Sequence, residues 1–307
     1  MAKAGLLFAG TDDGVVLFSN PGAVGRWLRV GQELRGHAIR AILPAADNPL
    51  IVLAAGAGMG VQRSDDGGQS WQKTFDGDVT AVVGHHSDAA AIYLGTADGG
   101  IYRSADAGSS WEICPQGDRP SDGGPARLVV AYDDPRRLYI GLGEGGVWFS
   151  ADAGAQWGRY GPDAPASIAA LADVPGQPGV LYTVAGEALY RCRGAEERWE
   201  RIEGARPDAG AAIAVLAGKE PVLLMALAGG AGPGRSTDDG ATWAPSGGDV
   251  AWSGGVRVLV PARYHIDTAF AGSGGGQLAQ TSDRGRTWQL LKQDLPRICS
   301  IAAARLA

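Results

Sequence analysis

Cysteine, histidine and methionine are scarce, at three, four and three of 307 residues. Cys114, Cys192 and Cys299 have no close spacing and are odd in number, which argues against a disulfide framework or a zinc site. They point instead to a reducing, cytoplasmic setting, and the chain is expected to need neither metal nor cofactor. Apolar runs stay below ten residues, so no helix of the chain is expected to span a bilayer. The first ten residues, with one lysine and a very short apolar stretch, hold too little for a secretory signal. Basic residues are outnumbered, and a formal net charge of -6 excludes broad nucleic-acid binding, which requires a basic face. Helical periodicity is absent as well. What is abundant is glycine: 49 glycines and 17 prolines exceed a fifth of the chain without a Gly-X-Y period. Both residues damage helix interiors, so tight turns and an all-β chain are expected. With 45% apolar and 20% charged residues the chain has the composition of a folded protein.

The nine tryptophans carry the organisation. Five close one octad, Ser/Thr-x-Asp-x-Gly-x-x-Trp: Ser64 to Trp71, Ser104 to Trp111, Ser150 to Trp157, Ser236 to Trp243 and Thr281 to Trp288. Trp27 and Trp199 keep the tryptophan without the box, in SNPGAVGRW and CRGAEERW, where Gly194 replaces the aspartate. Successive tryptophans lie 44, 40, 46, 42, 44 and 45 residues apart, so seven units fill the chain. Such a period signals a propeller or a solenoid.

Each unit reads as four short antiparallel strands, A to D. Strand A is the most apolar, as in Ile39 to Leu43, Val79 to Val83, Arg127 to Val130, Ile213 to Leu216 and Val256 to Val260. A small-residue column on strand B (Gly10, Ala55, Gly95, Gly141, Leu227, Gly272) leads into glycine-rich B–C turns. The box forms the C–D turn. A radial repeat of such units is a seven-bladed β-propeller, here a single domain over residues 1–307 with no linker. The chain starts on a strand B (Leu6 to Gly10) and ends on an orphan strand A (Ile298 to Ala304), so the last strand is expected to pair with the first.

The octads resemble the Asp-box, or BNR, repeat over nearly the whole chain. That resemblance implies the propeller fold but little about function, since sialidases, some endo-acting glucanases, sortilin-type receptors and photosystem II stability and assembly factors share it. The box has a structural account of its own. Asp66, Asp106, Asp152, Asp238 and Asp283 can accept N–H groups of their own turn, the glycine two residues on suits a positive φ, and the tryptophan covers its blade. A calcium loop would need a terminal glutamate that no box carries. Two further strings carry no chemistry. Gly141-Leu-Gly143-Glu-Gly145-Gly146 runs into the strand-like Val147-Trp148-Phe149, where a dinucleotide site needs a helix. His85 and His86 are adjacent in an A–B loop and lack metal-ligand spacing.

The D–A segments hold the remaining possibilities. Strand A in register on the small-residue column aligns Arg40, Thr80, Arg127, Ile168, Ile213, Arg257 and Cys299. Three arginines from three blades, with Arg297 as a fourth from the closing strand, suit a carboxylate or phosphate, because guanidinium forks grip planar anions. Alternatively each pairs with an acid of the D–A segments, where Asp76, Asp78, Asp118, Asp122, Asp163, Asp208, Asp249 and Asp294 lie. The resemblance implies a similar arginine triad in sialidases, but the Arg-Ile-Pro string near the N-terminus is absent. Tyr160 with Asp163 is the nearest approach to a tyrosine nucleophile with an acid, and no glutamate partner can be assigned. His37 is the one isolated candidate for a general base. The expected function is a non-catalytic, monomeric scaffold that binds a protein partner or a small anionic ligand on its B–C/D–A face. A sialidase-like glycoside hydrolase and a lectin-like sugar binder using Trp252 are the alternatives.

Overall fold

Alternating apolar residues between glycine-rich turns build antiparallel sheets. In the computed structural model, which describes residues 4–21, 26–119, 125–194, 197–208, 212–229 and 232–306, no α-helix occurs among the described residues. Seven sheets form the blades. Blade 1 joins Ile298–Arg305 as strand A to Gly5–Thr11, Gly14–Asn20 and Leu28–Glu33. Blade 2 holds Ala41–Pro44, Val52–Gly56, Gly60–Ser64 and Gln72–Phe75. Blade 3 holds Val79–Gly84, Ile92–Thr96, Ile101–Ser104 and Glu112–Ile113. Blade 4 holds Pro125–Val130, Leu138–Leu142, Val147–Ser150 and Gly158–Arg159. Blade 5 holds Ile168–Asp173, Leu181–Ala185, Ala188–Arg193 and Arg198–Ile202. Blade 6 holds Ile213–Leu216, Val222–Ala226, Pro233–Ser236 and Ala244–Pro245. Blade 7 holds Val256–Pro261, Ala269–Ser273, Leu278–Thr281 and Thr287–Lys292, and Gly247–Gly248 adds a short parallel strand beside the last of these.

Closure follows the expected scheme. The first and last strands pair antiparallel, from Gly5 opposite Arg305 to Thr11 opposite Ile298. Strands A of successive blades touch one another around the full circle and enclose an axial channel. Strand B is almost wholly buried in every blade, and strand D is the most exposed. The small-residue column has a steric reason. A Cβ on Gly141 would meet Ile168 at 2.4 Å, and one on Gly272 would meet Ile298 at 2.6 Å. Each glycine thus admits the first apolar residue of the next blade's strand A. Blade 6 breaks the column, because Leu227 lies one residue beyond the end of its strand B.

Candidate functional site

The D–A mouth of the channel collects the arginine column. Arg40, Arg127 and Arg257 all line one axial cavity of ≈ 480 Å³, together with Thr80 and Cys299. Register shifts at the head of strand A leave Thr80, Arg257 and Cys299 as bulged residues. In blade 4 the shift falls between Pro125 and Arg127, so Arg127 lies one position past the aligned one. Ile168 is likewise one residue early, since the shift in blade 5 falls between it and Ala170. Bulges re-aim side chains, which is how residues of unequal register reach one cavity. Arg40 lies 3.5 Å from Asp78, and both side chains are half exposed, so this pair contributes little stability. Arg127 and Arg257 are partnered too. Arg127 is exposed to the channel, and partial desolvation by the surrounding walls lowers its pKa.

The other expected site residues lie elsewhere. Arg297 is exposed and does not line the channel cavity; its carbonyl accepts the Asp12 N–H at 3.0 Å. Tyr160 is a core residue, 4% exposed, and its hydroxyl donates to the Gly179 carbonyl at 2.7 Å. Burial, foremost, and the neighbouring Tyr139 push its phenol far above the ordinary value, so it is placed as packing and not as a nucleophile. Asp163 accepts the Trp199 N–H at 3.4 Å. His37 is exposed on the D–A segment, where its carbonyl accepts the Gly14 N–H at 2.8 Å. Trp252 is not an open sugar platform: it packs edge-on against Trp288, with ring centroids 6.2 Å apart. Among the expected acids, Asp76 pairs with Lys73 at 2.9 Å, and Asp122 lies outside the described residues.

On the opposite face the five boxes share one hydrogen-bond pattern. In the first, Ser64 Oγ donates to Asp66 Oδ1 at 2.7 Å and accepts the Gly68 N–H at 2.8 Å. Asp66 also accepts the Ser70 N–H at 2.9 Å and the Ser70 hydroxyl at 2.6 Å. The glycine is needed twice over. Gly285 has φ +78, and a Cβ there would lie 2.3 Å from Leu224 of blade 6. Arginines of strand C extend this seam: Arg63 donates to the Ala107 carbonyl at 3.0 Å, and Arg235 to the Arg284 carbonyl at 2.9 Å, each in the box of the next blade. Of the tryptophans, Trp157 and Trp288 are buried, whereas Trp71, Trp111 and Trp243 are partly covered.

The boxes make stability pH-dependent. Hydrogen bonds from the Thr242 hydroxyl and N–H, then the Ser236 hydroxyl, lower the Asp238 carboxyl from 3.8 to about 2. A depressed folded-state pKa stabilises fully above the unfolded value and ceases to do so as pH falls through the folded one. Asp238→Asn is therefore expected to melt below the wild type at pH 5, with the gap closing as pH drops from 3.8 towards about 2. Thermal melts across that range check it, and a gap independent of pH would contradict it.

Apart from the adjacent His85 and His86, the A–B mouth holds residues that no motif in the sequence singles out. Five A–B loops have one length: the N–H of Ala45, His85, Ala131, Val174 and Ala262 donates to the carbonyl six residues on, at 2.9 to 3.1 Å. The residue after each is Ala46, His86, Tyr132, Pro175 and Arg263, a second column around the axis. His86 stacks on Tyr132 with centroids 4.0 Å apart and planes 6° from parallel. Arg263 of blade 7 reaches across the channel and donates to the Gly84 carbonyl of blade 3 at 2.9 Å. This bar separates two cavities. One of ≈ 280 Å³ includes His86, Tyr132 and Asp173. The other, of ≈ 260 Å³, lies towards blades 1 and 2. His85 holds the loop of the next blade, its Nε2 lying 2.9 Å from the Tyr132 carbonyl. No group of three or more metal-ligating side chains is found among the described residues.

Ring closure, four-stranded blades and box turns define a seven-bladed β-propeller with Asp-box repeats. The family model of the BNR/Asp-box repeat matches residues 62–73. Among solved structures, YCF48 from Cyanidioschyzon merolae is similar, with TM-score 0.62 and 17% identity over 83% of this chain and 86% of that one. YCF48 bound to D1 peptide gives 0.60 and 16%, over 82% and 81%. A GH74 xyloglucanase from Xanthomonas campestris gives 0.64 and 18% over 95% of this chain, which spans only 53% of that enzyme. These identities show a shared fold. No protein of curated function matches the sequence.

Proposed function

We propose that this propeller is a non-catalytic scaffold whose D–A mouth binds a protein segment or small ligand through a carboxylate. The observation that carries the reading is the placement of Arg40, Arg127 and Arg257, from three blades, on one cavity. Guanidinium groups in a confined channel hold an anion more strongly than on an open surface, because less water competes. The similarity to YCF48 over most of both chains, including a structure bound to a peptide, supports a partner-binding role. In this reading the protein acts as a cytoplasmic monomer. A sialidase-type mechanism has little support, since Tyr160, its nearest approach to a nucleophile, is committed to the core.

Calorimetric titration with hexaglutamate tests the proposal. Binding is expected for the wild type and should weaken about tenfold or more in Arg40→Ala/Arg257→Ala, as the loss of charged hydrogen bonds implies. Equal affinity of the double variant would sink the arginine site. Turnover of a fluorogenic sialoside would overturn the non-catalytic reading.

A further inference from the structure

The A–B mouth lies at the other end of the channel from the proposed arginine site, and its chemistry is different. Arg263 uses one of its guanidinium donors on the Gly84 carbonyl, leaving others to serve a ligand. Asp173, across the same cavity, accepts the Tyr132 N–H through Oδ2 at 2.6 Å. The two charges sense each other without forming an ion pair. A positive and a negative group on one cavity wall, held apart, complement a ligand that carries an acceptor and a donor of its own. The remaining wall combines an apolar part, Leu171, Leu216, Leu259 and the 55% exposed Ile266, with the rings of His86, Tyr132 and His265. At ≈ 280 Å³ the cavity lies at the small end of ligand pockets, large enough for one residue-sized body. Its shape rests on a rigid frame, because the equal A–B loops, the His85 contact and the His86–Tyr132 stack fix the column around it.

We propose that the A–B mouth is a second binding site, specific for an N-acylated apolar amino-acid unit with a free carboxylate. The carboxylate sits on Arg263, the amide N–H donates to Asp173, and the side chain packs on Leu171, Leu216 and Leu259. Either a free N-acyl amino acid or the last residue of a polypeptide supplies this chemistry. Arg263, Asp173, Leu171 and Leu259 also border the axial cavity of the D–A arginines, but Arg40, Arg127 and Arg257 do not line this one.

Calorimetry with three probes tests the assignment: N-acetyl-L-leucine, N-acetyl-L-leucinamide and the pentapeptide Ala-Ala-Ala-Ala-Leu with a free carboxyl end. At least one free-carboxylate probe is expected to bind saturably, and the amide about tenfold or more weaker. Tighter binding of the pentapeptide assigns the site to chain ends, and tighter binding of N-acetyl-L-leucine to the free compound. Arg263→Gln should lower affinity to the level of the amide, while Arg40→Ala/Arg257→Ala leaves it unchanged. If Arg263→Gln fails to fold by circular dichroism, Ile266→Trp, at an exposed rim position, should block the cavity and abolish binding. No saturable binding of either carboxylate probe overturns the proposal. So does equal binding of the amide, or a loss caused by the D–A variant.

Discussion

Deleting residues 298–307 is expected to abolish cooperative folding. The deletion removes strand A of blade 1, and with it Ile298, Ile301 and Ala302, which are 0%, 5% and 7% exposed. Burying an isoleucine side chain contributes about 1.5–3 kcal/mol. The loss also uncovers the whole inner edge of Gly5–Thr11, whose N–H and C=O groups pair with the last strand. Blades 2 and 7 lose their neighbour as well, since strand A of blade 1 touches strand A of both. These effects together rival the roughly 5–15 kcal/mol that holds an ordinary domain. Circular dichroism melts and limited proteolysis check the outcome. A truncated chain melting within a few degrees of the wild type would show that closure is dispensable.

Trp288→Ala is expected to cost about 3–5 kcal/mol, the usual loss for a fully buried large aromatic. Trp288 is 2% exposed, and its indole N–H has no partner among the described residues, so its contribution is packing. The ring supports Trp252 edge-on and belongs to the apolar cluster of blades 5 to 7. Trp71→Ala supplies the contrast. Trp71 is only partly buried, and its N–H donates to the Gly68 carbonyl of its own box at 3.0 Å, so a smaller loss is expected. Denaturant unfolding of both variants decides between the packing account and a uniform role for the box tryptophans. Equal losses at the two positions would favour the latter.

The fold was legible because its signals are local and repeated. A box turn requires particular residues at particular offsets, so the tryptophan spacing carried blade number, while the apolar runs of each unit carried strand order and the unmatched first and last strands the closing pair. The arginine column was legible only to within a single residue. Bulges at the head of strand A shift the side-chain alternation there, and nothing in Thr80 or Arg257 announces a bulge. Trp252 misled for a related reason: a tryptophan in a long polar loop reads as exposed until Trp288 is seen beside it. Tyr160 misled similarly, since its hydroxyl partner, the Gly179 carbonyl, is 19 residues away. Arg263 was present in the sequence as the second residue of an A–B loop, aligned with His86 and Tyr132. Its significance depends on where it reaches, across the channel to Gly84, and a column of unlike residues (Ala46, His86, Tyr132, Pro175, Arg263) carries no repeat to notice.

The closing pair has a mechanical consequence. Gly5 lies opposite Arg305, and the Ala4 carbonyl accepts the Leu306 N–H at 2.8 Å, so both chain ends leave the ring at the same point. Tension applied between them loads the ladder from that end, and its rungs give way in succession, as in a zipper. A shear geometry would share the load among all rungs at once. The ring therefore combines closure all round with a low force threshold at a single seam, and a pull on its two ends opens blade 1 before it strains any other.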